Sequence, residues 1–280
     1  MKDYMETYRE WLNSPFIDEN TRAELAAIEG NEAEIHARFY RTMEFGTAGM
    51  RGIIGAGTNR INRYVIRKAT LGYANYLKQT NRQAAEQGVV IAHDNRHMSR
   101  EFCMETAGVL AAQGIRSFIF DGLRPTPELS FAVRHCNAAG GVVITASHNP
   151  PEYNGYKLYD KNGCQLVPRY TDALMPIINA IEDPLSIPCL TQEEAGDLIT
   201  VLGTEVDEAY YSAVMGIRLR PDVPRDDFSV IFSPQHGTGN LPIREVLSRC
   251  GYHVIPVVEQ CEPDPAFGNT KSPNPENREA

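Results

Sequence analysis

From residue 43 onward the chain alternates short β-branched runs with longer amphipathic stretches, and this alternation restricts its fold more than any other feature. Short β-branched runs bounded by turn residues indicate buried strands, whereas longer stretches with a 3.6-residue period are typical of helices. Strands that alternate with helices build layers around a sheet. We therefore predict an α/β fold for residues 43–280.

The same pattern gives approximate bounds for the individual elements. The predicted strands of the first part are Gly88–His93, Ile115–Phe120, Gly141–Ala146 and Tyr153–Asp160, and its predicted helices are Arg63–Gln79, Ser99–Gln113, Thr126–Cys136 and Arg169–Ile181. The second part is predicted to contain helices over Val206–Gly216 and Leu241–Cys250 and strands over Phe228–Phe232 and Tyr252–Val258.

Shifts in composition divide the chain into three predicted regions. Residues 1–40 show a helical period interrupted at Ser14-Pro15, which predicts an N-terminal helical extension. A loop rich in proline, serine and acidic residues over 183–196 is a plausible seam between one domain at 41–195 and a second at 196–280. Because one strand–helix–strand unit is thin for a domain, we expect the second domain to be truncated.

Charge and composition narrow the function classes. The chain of 280 residues is 42% hydrophobic and carries a formal net charge of -9, without a block of lysines and arginines. Nucleic acids and anionic membranes both require a basic surface, so neither is an expected partner. A phosphorylated substrate stays compatible, provided that basic residues at its site outweigh the overall negative charge.

The polar N-terminus and the cysteines indicate where in the cell the protein is expected. The first six residues are too acidic and polar for a signal peptide, and no stretch approaches the ~18 apolar residues of a membrane span. Six cysteines are scattered without a C-x-x-C pair, which argues against a zinc ribbon or a disulfide framework. We expect a soluble, cytoplasmic protein with reduced thiols.

Ser147 lies in the segment T-A-S-H-N-P at 145–150, directly after an apolar run. The segment predicts a turn just past the carboxyl end of a strand, the edge at which α/β sheets bind ligands. A serine nucleophile needs an activating partner, and His148 is the nearest candidate. Neighbouring residues of an extended segment point to opposite sides, so a Ser–His pair requires the turn to fold back. An ordinary surface turn is the other interpretation.

A hydrolase with a nucleophile elbow is not indicated. The G-x-S-x-G pattern is absent, because Thr145 and Asn149 occupy the two glycine positions around Ser147.

Four other segments could carry chemistry. F-G-T-A-G-M-R-G at 45–52 combines glycines with Arg51, which suits a phosphate, although a mobile turn is the commoner explanation. Lys157, within 153–159, would by itself be a solvated surface lysine. H-D-N-R at 93–96 and S-P-Q-H-G-T-G-N at 233–240 both follow strands, and a plain glycine-rich connection is slightly favoured for the second.

Taken together, the motifs F-G-T-A-G-M-R-G, T-A-S-H-N-P, Y-N-G-Y-K and H-G-T-G, in this order, resemble the α-D-phosphohexomutase superfamily and its phosphoglucomutase/phosphomannomutase branch. The resemblance implies four domains, of which the first three are related mixed-sheet, three-layer α/β units. On this basis the first domain is complete and the second is truncated before its metal-binding loop. It also implies an intramolecular phosphotransferase that interconverts sugar 1-phosphates and 6-phosphates, glucose first and mannose next.

The resemblance implies a role for each candidate residue. Ser147 would be a phosphoserine that phosphorylates a hexose phosphate to a bisphosphate and is rephosphorylated after the intermediate reorients. Arg51 would orient the phosphoserine, and His148 and Lys157 would act as general acid/base or electrostatic partners. Magnesium would be held by the phosphate on Ser147 and by three aspartates of a D-x-D-x-D-R loop, and a sugar bisphosphate would be the activator.

That aspartate loop, the sugar-specificity loop and the phosphate-binding loop of the fourth domain are absent from these 280 residues. We therefore expect little or no mutase activity from this chain alone, and an exposed, aggregation-prone edge on its second domain. Alternatives are a phosphopentomutase or sugar-bisphosphate synthase of the same superfamily, or a non-catalytic, shortened paralogue that binds phosphosugars. The sequence leaves sugar identity, oligomeric state and the choice between His148 and Lys157 open.

Overall fold

A computed structural model describes residues 3–46, 49–225, 227–270 and 272–278 of the chain. Its α-helices in these residues are α1 (Tyr4–Asn13), α2 (Glu19–Ala27), α3 (Glu32–Phe39), α4 (Arg63–Thr80), α5 (Ala84–Gln87), α6 (Ser99–Ala112), α7 (Thr126–His135), α8 (Pro168–Asn179), α9 (Gln192–Ala195), α10 (Thr204–Gly216) and α11 (Asn240–Arg249). Its strands are β1 (Met50–Ile53), β2 (Val89–His93), β3 (Ser117–Phe120), β4 (Gly140–Ile144), β5 (Tyr153–Asp160), β6 (Ile199–Leu202), β7 (Ser229–Phe232) and β8 (His253–Pro256).

Six strands form one mixed sheet in the order β1-β5-β4-β2-β3-β6. The strands β4, β2, β3 and β6 are parallel, whereas β5 and β1 add to one side in antiparallel pairs. Helices α4 and α6 cover one face of this sheet, and α7 covers the other. The fold is therefore a three-layer α/β structure with a mixed sheet, as predicted.

The central strands show why the sequence forms this sheet. Every residue of β2 is buried, and so is every residue of β4. Along β2, Val89 and Ile91 join the core beneath α4 and α6, while Val90 and Ala92 join the core beneath α7. A strand buried on both faces requires a continuous apolar run rather than an alternating one.

Helices α1 to α3 form a separate apolar cluster that packs on the start of α4. The ring of Trp11 meets that of Tyr64 edge-on at 5.5 Å, and the Tyr64 hydroxyl donates to Asp18 Oδ2 at 2.9 Å. Asp18 also caps α2 by accepting from the Thr21 N–H. The N-terminal helices thus pack on the start of α4, and α3 also contacts the segment between β1 and α4, where Asn59 donates from Nδ2 to the Ala37 carbonyl at 3.0 Å.

A second, two-stranded parallel sheet contains β7 and β8, which α11 connects. Both of its strands alternate between exposed and partly buried residues. β6 pairs with β3, so the larger sheet continues to Leu202, past the seam predicted at residue 195. The domain bounds at 40, 195 and 280 stay a prediction.

The predicted strands and helices all overlap with observed ones, whereas β1, β6, α5 and α9 were not predicted. All six cysteines are free thiols. Among the described residues, no helix has both the length and the apolar character needed to cross a bilayer.

Candidate active site at the serine loop

The serine loop, residues 145–150, leaves the carboxyl end of β4 and turns sharply at Ser147. Ser147 has φ +59°, in the left-handed region that non-glycine residues rarely adopt and that is enriched at functional sites. Its N–H donates to Thr145 Oγ1 at 2.8 Å. The exposed Ser147 Oγ lies 3.3 Å from His148 Nδ1, so the turn does fold back and joins these neighbours.

A buried guanidinium determines the shape of the serine loop. Arg96 follows β2 and is 3% exposed. Its Nη1 donates to the carbonyls of Pro150 and Tyr153 at 2.8 and 3.0 Å, and its Nη2 donates to those of Ser147 and Asn149 at 3.0 and 2.6 Å. One side chain thereby satisfies four carbonyls at the turn. The sequence indicates a strand end at H-D-N-R but does not predict this role of Arg96.

Arg96 is in turn held by Asp94, which follows β2 and connects to α6 and β5. Asp94 Oδ2 lies 3.3 Å from Arg96 Nε, and Asp94 Oδ1 accepts from the Ser99 hydroxyl at 2.6 Å. Asn154 of β5 donates to Ser99 Oγ at 2.9 Å. Burial lowers the pKa of Arg96, and the Asp94 carboxylate opposes that shift. The network links β2, α6 and β5 behind the serine loop.

Arg51 reaches the loop because β1 lies close against β5. Its Nη1 donates to Asn149 Oδ1 at 2.8 Å, and its register partner in β5 is Gly155. A Cβ on Gly155 would lie 2.7 Å from the Met50 carbonyl oxygen, so a larger residue would push β1 and β5 apart. Thr47 and Ala48 of the F-G-T-A-G-M-R-G segment lie outside the described residues.

Lys157 also lies in the site rather than on an open surface. It is partly buried on β5. Burial lowers the pKa of its amine, the charge of Arg51 lowers it further, and Asp94 opposes both effects. The amine therefore loses its proton more readily than that of a solvated lysine.

Ser147, His148 and Lys157 line one cleft of about 330 Å³. Residues on the side of the larger sheet that line it are Asp94, Asn95, Thr126, Thr145, Ser147, His148 and Lys157. The opposite wall comes from Pro234, Gln235, Gly237, Thr238, Phe267, Pro273 and Pro275. The H-G-T-G segment thus faces the cleft, although the sequence slightly favoured a plain connection.

The two walls meet beside Arg96. Asn95 donates from Nδ2 to the Asp264 carbonyl at 2.8 Å, and the Arg96 guanidinium lies 5.1 Å from the centre of the Phe267 ring. Asn95 and Arg96 both belong to the H-D-N-R segment. This segment therefore contacts the second wall as well as the serine loop. No signal in the sequence pointed to Phe267.

The electrostatic character of the cleft differs from that of the whole chain. Arg51, Arg96 and Lys157 place three basic groups around the serine loop, where Asp94 and Glu152 are the acids whose charges act on Arg96, in a chain of net charge -9. Such a concentration of positive charge suits a phosphate, and the exposed Arg51 is the arginine that can bind one in a bidentate manner, because the nitrogens of Arg96 already donate to loop carbonyls.

The described residues do not themselves form a magnesium site. They contain no group of three or more His, Cys, Asp or Glu side chains that could hold a metal ion. Asp94, the acid in the cleft, is already bonded to Ser99 and Arg96. The predicted metal contact through a phosphate on Ser147 therefore lacks aspartate partners in this part of the chain.

Comparisons with known proteins agree with the geometry. Residues 42–184 match the family model of phosphoglucomutase/phosphomannomutase α/β/α domain I, and residues 208–280 match that of domain II. A phosphoglucomutase of Staphylococcus epidermidis is 40% identical over 242 residues, and one of Staphylococcus haemolyticus is 39% identical over 245. These matches cover 85% and 86% of this chain but 43% and 44% of the relatives.

A crystal structure of a candidate phosphomannomutase from Thermus thermophilus is similar, with a TM-score of 0.66 and 28% identity. The match covers 82% of this chain and 48% of that protein. The chain therefore spans less than half the length of the proteins it resembles.

Proposed function

Because the chain belongs to the phosphoglucomutase/phosphomannomutase family, we propose that its protein interconverts hexose 1-phosphates and 6-phosphates, with glucose preferred over mannose. The observation that carries this proposal is Ser147, whose exposed hydroxyl sits in a cleft among basic groups. The names of the Staphylococcus relatives favour glucose. The positive charge is concentrated at the cleft, which favours a phosphorylated hexose over a nucleic acid or a membrane.

The proposed chemistry transfers one phosphoryl group in each direction. The Ser147 Oγ–P bond breaks while a bond forms between phosphorus and the free hydroxyl oxygen of the sugar phosphate. The hydroxyl proton goes to a base, and Ser147 Oγ leaves with the electrons of the broken bond. The sugar bisphosphate then turns over, and its other phosphoryl group returns to Ser147 by the reverse steps.

The side chains at the cleft fit different parts of this transfer. Lys157, whose amine has a lowered pKa, is suited to accept the proton of the sugar hydroxyl. His148, at 3.3 Å from Ser147 Oγ, is suited to stabilise that oxygen as it leaves. Arg51 is placed to orient the phosphoryl group, since phosphoryl transfer depends mainly on positioning and charge stabilisation.

From the family resemblance we infer magnesium as the metal and a sugar bisphosphate as the activator. A magnesium ion would neutralise phosphate charge during transfer. The described residues supply no set of carboxylates for it, so in this part of the chain only the phosphate on Ser147 would contact the ion.

The test is a mutase assay on the protein purified from its own source, with glucose 1-phosphate or mannose 1-phosphate as substrate. We expect turnover with glucose 1-phosphate to be the faster, and Ser147→Ala to abolish it. Ser248→Ala, which changes an exposed serine of α11, is the matched control and should leave turnover intact. Undiminished turnover in Ser147→Ala would refute the proposal, and a preference for mannose would refute its sugar assignment.

A further inference from the structure

A second cavity lies away from the serine loop, between the N-terminal helices and the start of the larger sheet. Its volume is about 280 Å³, near the lower end of the size range of small-molecule pockets. Its apolar wall is formed by Trp11, Phe39, Met43, Met50, Val65 and Ile178. We call it the α1–α4 cavity.

One basic group of this cavity has no partner among the described residues. Lys68 of α4 lines the α1–α4 cavity and is partly buried. In the part of the chain that the structure describes, its amine forms no hydrogen bond or ion pair. Burial lowers the pKa of Lys68, and no carboxylate of the described residues opposes that shift. A partly desolvated charge without a partner destabilises the folded protein unless a ligand pairs with it.

The remaining charged groups at this cavity do not replace such a ligand. Arg41 lies at the rim, where its Nε donates to Asn59 Oδ1 at 3.1 Å and its guanidinium stacks on Tyr40. Glu10 and Glu182 are exposed. The cavity therefore presents one ammonium group next to an aromatic and aliphatic wall.

From this juxtaposition we propose that the α1–α4 cavity binds a small monocarboxylate with an apolar body. Its carboxylate pairs with Lys68, and its apolar part packs against Trp11, Phe39 and the two methionines. A phosphate lacks the apolar part, and a neutral molecule lacks the charge. This ligand takes no direct part in the chemistry at Ser147.

The cavity is connected to the serine loop through the chain itself. Met50, buried in the cavity wall, directly precedes Arg51, and Arg51 donates to Asn149 of the serine loop. A ligand that fixes Met50 would therefore also restrict the strand that carries Arg51.

The experiment uses the chain labelled with ¹³C at its methionine methyl groups and titrates it with phenylacetate. We expect saturable shifts at Met43 and Met50 and none at Met215 of α10. Phenylacetamide, which has the same shape without the charge, and inorganic phosphate should bind at least about tenfold more weakly. Equal binding of the amide, stronger binding of phosphate, or no saturable shift with phenylacetate would overturn the proposal.

Two variants locate the contact. Lys68→Gln should weaken phenylacetate binding by about tenfold or more, because it removes the charge. Lys78→Gln changes an exposed lysine of the same helix and should leave binding unchanged. In the absence of ligand, Lys68→Gln should unfold at a higher temperature than the original protein, which also shows that the variant is folded. Unchanged binding in folded Lys68→Gln would contradict the assignment.

Discussion

The strands β2 and β7 have similar sequences but different environments. β2 reads V-V-I-A-H and β7 reads S-V-I-F, and both are parallel strands that precede a helix. Ile91 of β2 is completely buried, whereas Ile231 of β7 is 76% exposed. The difference arises because helices cover both faces of the larger sheet, while β7 and β8 leave one side open. The sequence of a strand therefore predicts that the segment is extended, but it predicts less well how deeply the strand is buried.

The largest effect should come from shortening the two isoleucines. Ile91→Ala removes three carbons from a packed core and should lower the free energy of unfolding by about 2–5 kcal/mol. Ile231→Ala changes an exposed side chain and should change it by less than about 0.5 kcal/mol. Urea unfolding of both variants measures the difference. Equal losses would show that β7 is covered by something in solution.

A loss of about 2–3 kcal/mol is expected from Arg96→Met, because four loop carbonyls and Asp94 lose a buried partner. Amide exchange in residues 145–153 should accelerate more than exchange in β2. Arg100→Met, at an exposed arginine of α6, is the control. If the exchange of the serine loop stays unchanged in Arg96→Met, the loop does not depend on this guanidinium.

A buried acidic pair connects α7 to α10 and should respond to pH. Arg124 Nε and Nη2 donate to Asp207 at 2.8 and 2.6 Å, and Glu128 is completely buried beside them. Burial, together with Asp207, raises the pKa of Glu128 to about 8. Glu128 therefore stays protonated in the folded protein at pH values where the unfolded chain has released this proton.

The ionisation of Glu128 makes the folded protein less stable as pH rises. The contribution of Glu128 to stability is fully present below its unfolded pKa of about 4.5 and is lost as pH rises through about 8. Glu128→Gln cannot ionise, so its stability relative to the original protein should increase from pH 6 to pH 9. Urea unfolding at several pH values tests this. A constant difference between the two proteins would mean that Glu128 does not titrate in this range.

The smallest effect should come from the exposed ion pair between α10 and α11. Arg249 donates to both carboxylate oxygens of Glu208 at 2.6 and 2.7 Å, on the surface. Water and salt screen such pairs, so Arg249→Met should leave the midpoint of thermal unfolding almost unchanged. A loss as large as that of Arg96→Met would show that the contact between α10 and α11 is as important as the support of the serine loop.

The sequence was sufficient to predict most of the fold because hydrophobic periodicity governs it. The strand Tyr153–Asp160 was predicted with the observed bounds, and β2 and β4 were predicted within a few residues. β1 and β6 were missed since M-R-G-I and I-T-V-L are short and lie at the edges of the sheet. Their pairing depends on neighbours distant in sequence.

The candidate site was predictable only in part. Ser147, Arg51, His148 and Lys157 were proposed from motifs, and the structure places them around one loop. The function of Arg96 depends on carbonyls more than fifty residues away, at Ser147 to Tyr153, and local patterns do not contain that information. The approach of Phe267 to Arg96 is likewise a tertiary contact.

The most direct test of the central proposal is a phosphopeptide map of the protein purified from its own source, before and after incubation with glucose 1,6-bisphosphate. We predict phosphate on Ser147, gained or retained during the incubation and lost to added hexose phosphate. Absence of phosphate from Ser147 under all of these conditions would contradict the assignment of the serine loop as the phosphoryl-transfer site.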